Sequence, residues 1–197
     1  LKAFDNAINV DSKSAYGGIV AVNRHITNKI AKRIISNFFE IILAPSFSKN
    51  SVNIFKKKKK LILIQTKKIN KETKTEIKSV NGAYLFQEKN LIKFNKKYLK
   101  CVTKKKASIQ QIEDLIFGFK VCKHIKSNAI VLVKNKKTIG IGAGQMSRLD
   151  ATKISVLKIT NNNKKINYVA ASDAFFPFID NIQFLLKNNC RAIIQPS

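Results

Sequence analysis

Short apolar runs alternate along this chain with segments whose apolar residues recur at helical spacing, and that alternation constrains the fold class more than any other feature. An opening segment carries Leu1, Phe4 and Ile8 at helical intervals. GIVAV (18–22) then reads as a buried strand, and Thr27 is placed to cap a helix with Ile30, Ile34, Ile35 and Phe38 inward. EIILAP follows as a strand stopped by Pro45; a helix from Ser48, with Val52 and Phe55 inward, leads to a strand over Leu61–Gln65. Residues 66–79 lack periodicity and read as a surface excursion, and Val80–Gln87 as a strand. Beyond residue 106 the alternation restarts. A helix from Ser108 carries Ile112, Leu115, Ile116 and Phe119, and the strands SNAIVLVK and TIGIGAG are joined by the turn NKK. A helix through Ala151, Ile154 and Leu157, the strand NYVAAS, a helix bearing Ile182, Leu185 and Leu186, and the strand RAIIQ complete the series. Such alternation favours a largely parallel sheet with helices on both faces. The expectation is therefore an α/β chain of two related layers, divided into residues 1–105 and 106–197.

Charge and cysteine usage narrow the function classes. The 197 residues are 45% hydrophobic, enough for one ordinary domain or two small ones, and carry a formal charge of +27. A charge of that size raises nucleic acid as a partner, and a basic nucleic-acid-binding module using Lys56–Lys60 and Lys104–Lys106 stands as one alternative. Against it, Arg24, Arg33, Arg148 and Arg191 are the only arginines, and the lysine run at 56–60 has no interleaved aromatics to stack on bases. That run reads as a solvated helix end, so specific nucleic-acid binding is not expected. No apolar run approaches the ~18 residues of a membrane helix. The first residues, LKAFDNAINV, lack a hydrophobic signal core and an initiating Met, so the chain reads as soluble and as cut from something longer. Cys101, Cys122 and Cys190 are odd in number and show no CxxC spacing, which points to neither a disulfide framework nor a zinc site but to a reducing, cytoplasmic compartment.

Two stretches stand out as candidate sites. IGIGAGQMSR (139–148) places glycine at every second position, but Gln145 stands where a dinucleotide fingerprint needs its third glycine. Alternating glycines mean that either another backbone or a flat ligand lies against the strand, and Arg148, opening the next helix, favours a ligand with phosphate or carboxylate. SDAFFPFID (172–180) sets three phenylalanines around Pro177 between Asp173 and Asp180; they are either core filler or an aromatic wall. SAYGG reads as a tight turn. Lys123 and His124, about 100° apart on a helix, do not form an acid–base pair, and His25 has no evident partner.

Taken in order, DSKSAYGGIVAVNRHIT, IILAPSFS, KSNAIVLVKNKKTIGIGAGQMSR and ASDAFFPF closely resemble the formyltransferase part of the AICAR transformylase/IMP cyclohydrolase family. The likeness spans nearly the whole chain and weakens between about Lys56 and Lys106. It implies formyl transfer from the co-substrate 10-formyltetrahydrofolate to AICAR, giving FAICAR in purine (IMP) biosynthesis, with no metal required. It also implies a layered αβα, cytidine-deaminase-like fold present twice, and a homodimer. By motif, Gly17, Glu40, Asn128 and Arg148 match positions contacting the aminoimidazole nucleotide, and Leu149, Phe175 and Asp180 match folate-side positions. The resemblance places the catalytic Lys-His pair, in a KHxxPCG-like segment, and the cyclohydrolase domain outside this chain. No catalytic residue is therefore assigned here, the fragment alone is expected to be inactive, and a non-catalytic remnant is the other alternative. Ile179 stands where the family usually has arginine. The strand ending at Arg148 and the loop at Phe175 are expected to converge on one cleft.

Overall fold

The computed structural model describes residues 1–66, 74–91, 94–159 and 166–196, so residues 67–73 of the expected excursion lie outside the described residues. The chain packs as two compact units: Lys13–Lys93 with Leu1, and Lys2–Ser12 with Phe94–Ser197. The opening helix α1 (Lys2–Ile8), which buries Phe4, therefore belongs to the second unit.

In the first unit, β1 (Gly18–Ala21), β2 (Phe39–Ala44) and β3 (Ile62–Gln65) form a wholly parallel sheet in that order. The crossovers that parallel pairing demands are α2 (Asn28–Ile35) and α3 (Lys49–Phe55). Ser48 caps α3 by accepting the Ser51 N–H at 3.1 Å, and Phe55 is buried at its end. Thr27 occupies the cap position of α2 without a side-chain bond; Ala31 and Ile34 face inward, whereas Phe38 lies past the helix and is exposed. The expectation that GIVAV is buried fails. Ile19 and Ile62 are both in register with Ile41, which puts them on one face of the sheet, and both are exposed. Among the described residues this sheet is not covered on both faces. Residues 75–79, expected as part of an excursion, belong instead to β4 (Thr75–Val80), which pairs antiparallel with β5 (Ala83–Glu88). The cause is Asn81-Gly82: both take positive φ, the requirement of the two-residue turn that matches strand twist.

The second unit is layered. It comprises α4 (Ile109–Cys122), β6 (Ile130–Lys134), β7 (Lys137–Gly142), α5 (Arg148–Leu157), β8 (Tyr168–Ser172), α6 (Asp180–Lys187) and β9 (Cys190–Ile194), with strand order β7-β6-β8-β9. Only β8 and β9 run parallel, so the largely parallel expectation holds for the first unit alone. Asn135 and Lys136 explain the difference: both have φ of 54°, and so short a turn returns the chain antiparallel. Asp114 of α4 secures that turn, accepting the N–H groups of Asn135 at 2.9 Å and Lys136 at 2.6 Å. A capping box starts α4, with the Ser108 and Gln111 side chains each bonded to the other's backbone.

Successive β6 residues serve opposite layers. Ile130 and Leu132 join Ala151 of α5 and Leu185 of α6 on one face, while Val131 and Val133 join Leu115 and Cys122 of α4 on the other. All four β6 residues are fully buried, which is why this strand reads as a continuous apolar run. The glycines of β7 have a related cause. A Cβ built on Gly142 would lie 1.9 Å from the carbonyl oxygen of Ala151, and one on Gly140 would lie 2.0 Å from that of Ser155. Two residues of strand rise about 6.6 Å and four of helix about 6 Å, so one helical turn matches one glycine interval and α5 runs back along β7 with its backbone against it. The object against the bare strand is thus a helix and not a flat ligand. Its inner face accordingly holds Ala151, Thr152 and Ser155, while Leu157, expected inward, is exposed.

All three cysteines are free. Burial, with the Asp173 carboxylate nearby, pushes the Cys122 thiol up to about 12, and burial likewise pushes Cys190 up to about 12. Cys101 is exposed, and hydrogen bonding to Thr103 lowers its pKa. With a thiol-reactive dye at about pH 8, one thiol of the three is expected to react quickly in the native protein, and the others only after denaturant is added. A Cys101→Ser variant that kept the fast phase would contradict this.

Candidate functional site

At one end of the four-stranded sheet β7, β8 and β9 finish and β6 begins, since Ile130 pairs with both Gly142 and Ser172, and Ala171 with Ile194. Two loops meet there. Gly144 N–H donates to the Lys126 carbonyl at 2.7 Å, and Asn128 N–H to the Gln145 carbonyl at 3.0 Å. The Ser127–Asn128 peptide is cis.

Arg148, the first residue of α5, reaches into this junction. Its Nη2 donates to Asn128 Oδ1 at 2.7 Å and its Nη1 to Ser172 Oγ at 3.0 Å, and Nη1 also forms an ion pair with Asp173 Oδ1. Both partners of the ion pair are nearly buried, at 12% and 10% side-chain exposure, so the pair lacks the solvent screening that makes surface pairs weak. Burial pushes the Asp173 carboxyl up, but bonds from the Ser127 hydroxyl, Arg148 and the Ala129 N–H outweigh it and hold the group below its ordinary value. It is therefore ionised throughout the neutral range. Of the five guanidinium N–H donors, three are taken by these bonds, which leaves the Nε–H and one Nη2–H without a partner among the described residues.

Asn128 is also engaged. Its Nδ2 donates to the carbonyls of Gln145 at 2.9 Å and Met146 at 3.0 Å, so the amide end is taken and one lone pair of Oδ1 is left for a ligand.

The phenylalanine loop divides between its two readings. Phe176 packs on the core cluster and its N–H donates to Gln195 Oε1 at 2.9 Å, while Phe175 and Phe178 are exposed at 57% and 73%. The loop begins at Asp173, which holds Arg148, so the two stretches singled out in the sequence do meet. Asp180 opens α6 and accepts from Asn181 Nδ2 at 2.9 Å; Thr152 Oγ1 lies 2.8 Å from Asn181 Oδ1 and 2.9 Å from the Arg148 carbonyl, so its single hydroxyl proton is shared between those two acceptors. That chain of bonds links the starts of α5 and α6. Leu149 sits half-buried beside Arg148 in α5.

The model of the AICARFT/IMPCHase bienzyme family matches residues 1–158 of this chain. The chain belongs to that family. It is 41% identical over 198 aligned residues to the bifunctional purine biosynthesis protein PurH of Chlorobium phaeobacteroides, covering 100% of this chain and 38% of that relative. It is 43% identical to the PurH of a Thermoanaerobacter species, covering 37% of it, and 40% identical to that of Staphylococcus aureus, covering 39%. The chain thus spans under two fifths of the length of these curated relatives.

In this member of the AICARFT/IMPCHase family, Gly17 and Glu40 lie together within the first unit. Gly17 takes φ of +71°, its N–H donates to the Phe38 carbonyl at 3.1 Å, and a Cβ on it would sit 3.5 Å from Glu40 Oε1. Glu40 is exposed at the β2 end where Tyr16 packs against Phe38 at a 37° tilt, centroids 4.8 Å apart. A hollow of about 290 Å³ in the same unit, lined by Ile34, Phe38, Ile42, Leu61 and Lys57–Lys60, contains none of the candidate residues. Lys123 and His124 are exposed past the end of α4, and His25, for which the sequence offered no partner, bonds through Nδ1 to Ser46 Oγ at 2.8 Å. Among the described residues no three His, Cys, Asp or Glu side chains gather as metal ligands would, and no helix is long and apolar enough to cross a membrane. Residue-by-residue reading missed Asp173, Ser127 and Thr152 as members of the Arg148 network. The acid flanking the phenylalanines was the available signal for Asp173; nothing local marked the other two.

Proposed function

We propose that this chain is part of the AICAR transformylase of a bifunctional purine biosynthesis enzyme, which transfers a formyl group from 10-formyltetrahydrofolate to AICAR. The observation that carries the reading is the junction of Arg148, Asn128 and the exposed Phe175 at one sheet end. There, two open guanidinium donors suit an anionic ligand and an exposed aromatic face suits a planar ring. Asn128, Arg148, Gly17 and Glu40 would serve the nucleotide, and Leu149, Phe175 and Asp180 the folate. The AICAR amine attacks the formyl carbon, a C–N bond forms, and the tetrahedral intermediate collapses with cleavage of the bond to folate nitrogen. A Lys-His pair, which the resemblance places outside this chain, takes the amine proton, delivers a proton to the departing folate nitrogen and stabilises the oxyanion. The same reading gives two cytidine-deaminase-like subdomains, residues 1–105 and 106–197, in a cytoplasmic homodimer.

The test is a spectrophotometric assay for tetrahydrofolate release on adding AICAR and 10-formyltetrahydrofolate. The full-length gene product is expected to turn over and residues 1–197 alone are not. A full-length product that neither binds AICAR nor releases tetrahydrofolate would overturn the reading, and turnover by residues 1–197 alone would overturn the placement of the base.

A further inference from the structure

One carboxylate at the junction does more than neutralise an arginine. Asp173, just past β8, receives Arg148 Nη1 and the Ala129 N–H, at 3.0 Å, on Oδ1, and the Ser127 hydroxyl on Oδ2. Ser127 and Ala129 flank Asn128, so the residues on both sides of that amide are bonded to the same carboxylate. Asn128 Oδ1 in turn accepts Arg148 Nη2, which closes a ring of Asp173, Arg148, Asn128 and Ala129. The ring joins three chain segments: the end of β8, the approach to β6 and the start of α5. Its geometry fixes which guanidinium donors face inward and therefore which remain for a ligand.

We propose that Asp173 is the positioning residue of this site: it orients Arg148 and Asn128 toward the anionic nucleotide without touching that nucleotide itself. The proposal rests on the transformylase reading. Electrostatics alone argues the opposite sense, because a carboxylate beside the arginine weakens the attraction for an anion. The sign of the effect on binding thus separates positioning from charge.

Asp173→Asn is the informative variant. Asparagine keeps the shape and an oxygen for the Ala129 N–H, and its amide can donate to Ser127, but the ion pair that holds the guanidinium is lost. AICAR binding is measured by calorimetry on the full-length protein, with the variant alone and combined with Arg148→Lys. The expected result is about tenfold weaker binding in the wild-type background and no further loss in the Arg148→Lys background, since a residue acting through Arg148 has nothing left to orient. Affinity for 10-formyltetrahydrofolate is expected to stay within about twofold. Unchanged or tighter AICAR binding by Asp173→Asn would overturn the proposal, as would an equal loss in both backgrounds, which signals a role independent of Arg148. Wild-type protein that fails to bind AICAR would instead remove the transformylase reading on which the proposal stands.

Discussion

Gly142→Ala is expected to destabilise the second unit by about 3 kcal/mol or more, the upper end of what overpacking costs. The new methyl would lie 1.9 Å from the Ala151 carbonyl oxygen and 2.7 Å from its carbon, and both are backbone atoms of α5. No side chain can rotate away, so the helix must shift by more than an ångström from a sheet whose other face is already packed by α4. The shift would carry Arg148, the first residue of that helix, away from Asp173 and Asn128. Gly82→Ala is the comparison: nothing lies within 4 Å of its Cβ, and φ of +82° alone sets the cost, about 1 kcal/mol. Urea unfolding followed by circular dichroism measures both. Equal midpoint shifts for the two variants would show that α5 does not lie against β7 as described.

That close approach also shows what was legible in advance. The existence and type of most elements followed from periodicity, because a strand buried on both faces, such as β6, must be apolar at every position and a cap such as Ser48 is chemically required where it stands. Inward faces were less legible. Periodicity assumes that the larger apolar residues point to the core, and α5 inverts this: glycines on β7 bring the helix so near that its fully buried positions are the small Ala151, Thr152 and Ser155, and Leu157 turns outward. Strand direction in the second unit was readable only from the turn at Asn135-Lys136, whose length overrides the general tendency of alternating elements to build parallel sheets. The hairpin at 75–88 had its signal in Asn81-Gly82, which a search for periodicity alone passes over.

For the site, motif and chemistry pointed to Arg148, Asn128 and Phe175, yet not to the way the protein uses their polar groups. An amide and a guanidinium suit a carboxamide and a phosphate by their donor count, but a sequence does not show how many donors the protein itself consumes. Here the Asn128 amide end is taken by two carbonyls and most of the Arg148 donors by three side chains. The acceptors doing so come from Gln145, Met146, Ser172, Asp173 and Asn128 itself, brought together only by the folded sheet end.

The second large effect expected is at Arg148. Arg148→Lys keeps the charge and is still expected to weaken AICAR binding by about 100-fold, equivalent to about 2.8 kcal/mol. A lysine ammonium is a point charge with three donors on one atom, and it cannot span Asp173, Ser172 and Asn128 while facing a ligand. The loss combines two parts: Asn128 Oδ1 is left without its partner in a part-buried site, and the fixed direction of the remaining donors disappears. Arg191→Lys is the matched control, since that arginine is exposed and among the described residues its Nε donates to Asn167 Oδ1 at 2.8 Å, away from the Arg148 network, so binding should change less than about twofold. Calorimetric titration of full-length protein with AICAR measures both. If Arg148→Lys binds within about threefold of wild type, charge alone suffices at this position, and the fork geometry that links Asp173, Asn128 and the nucleotide carries no binding energy.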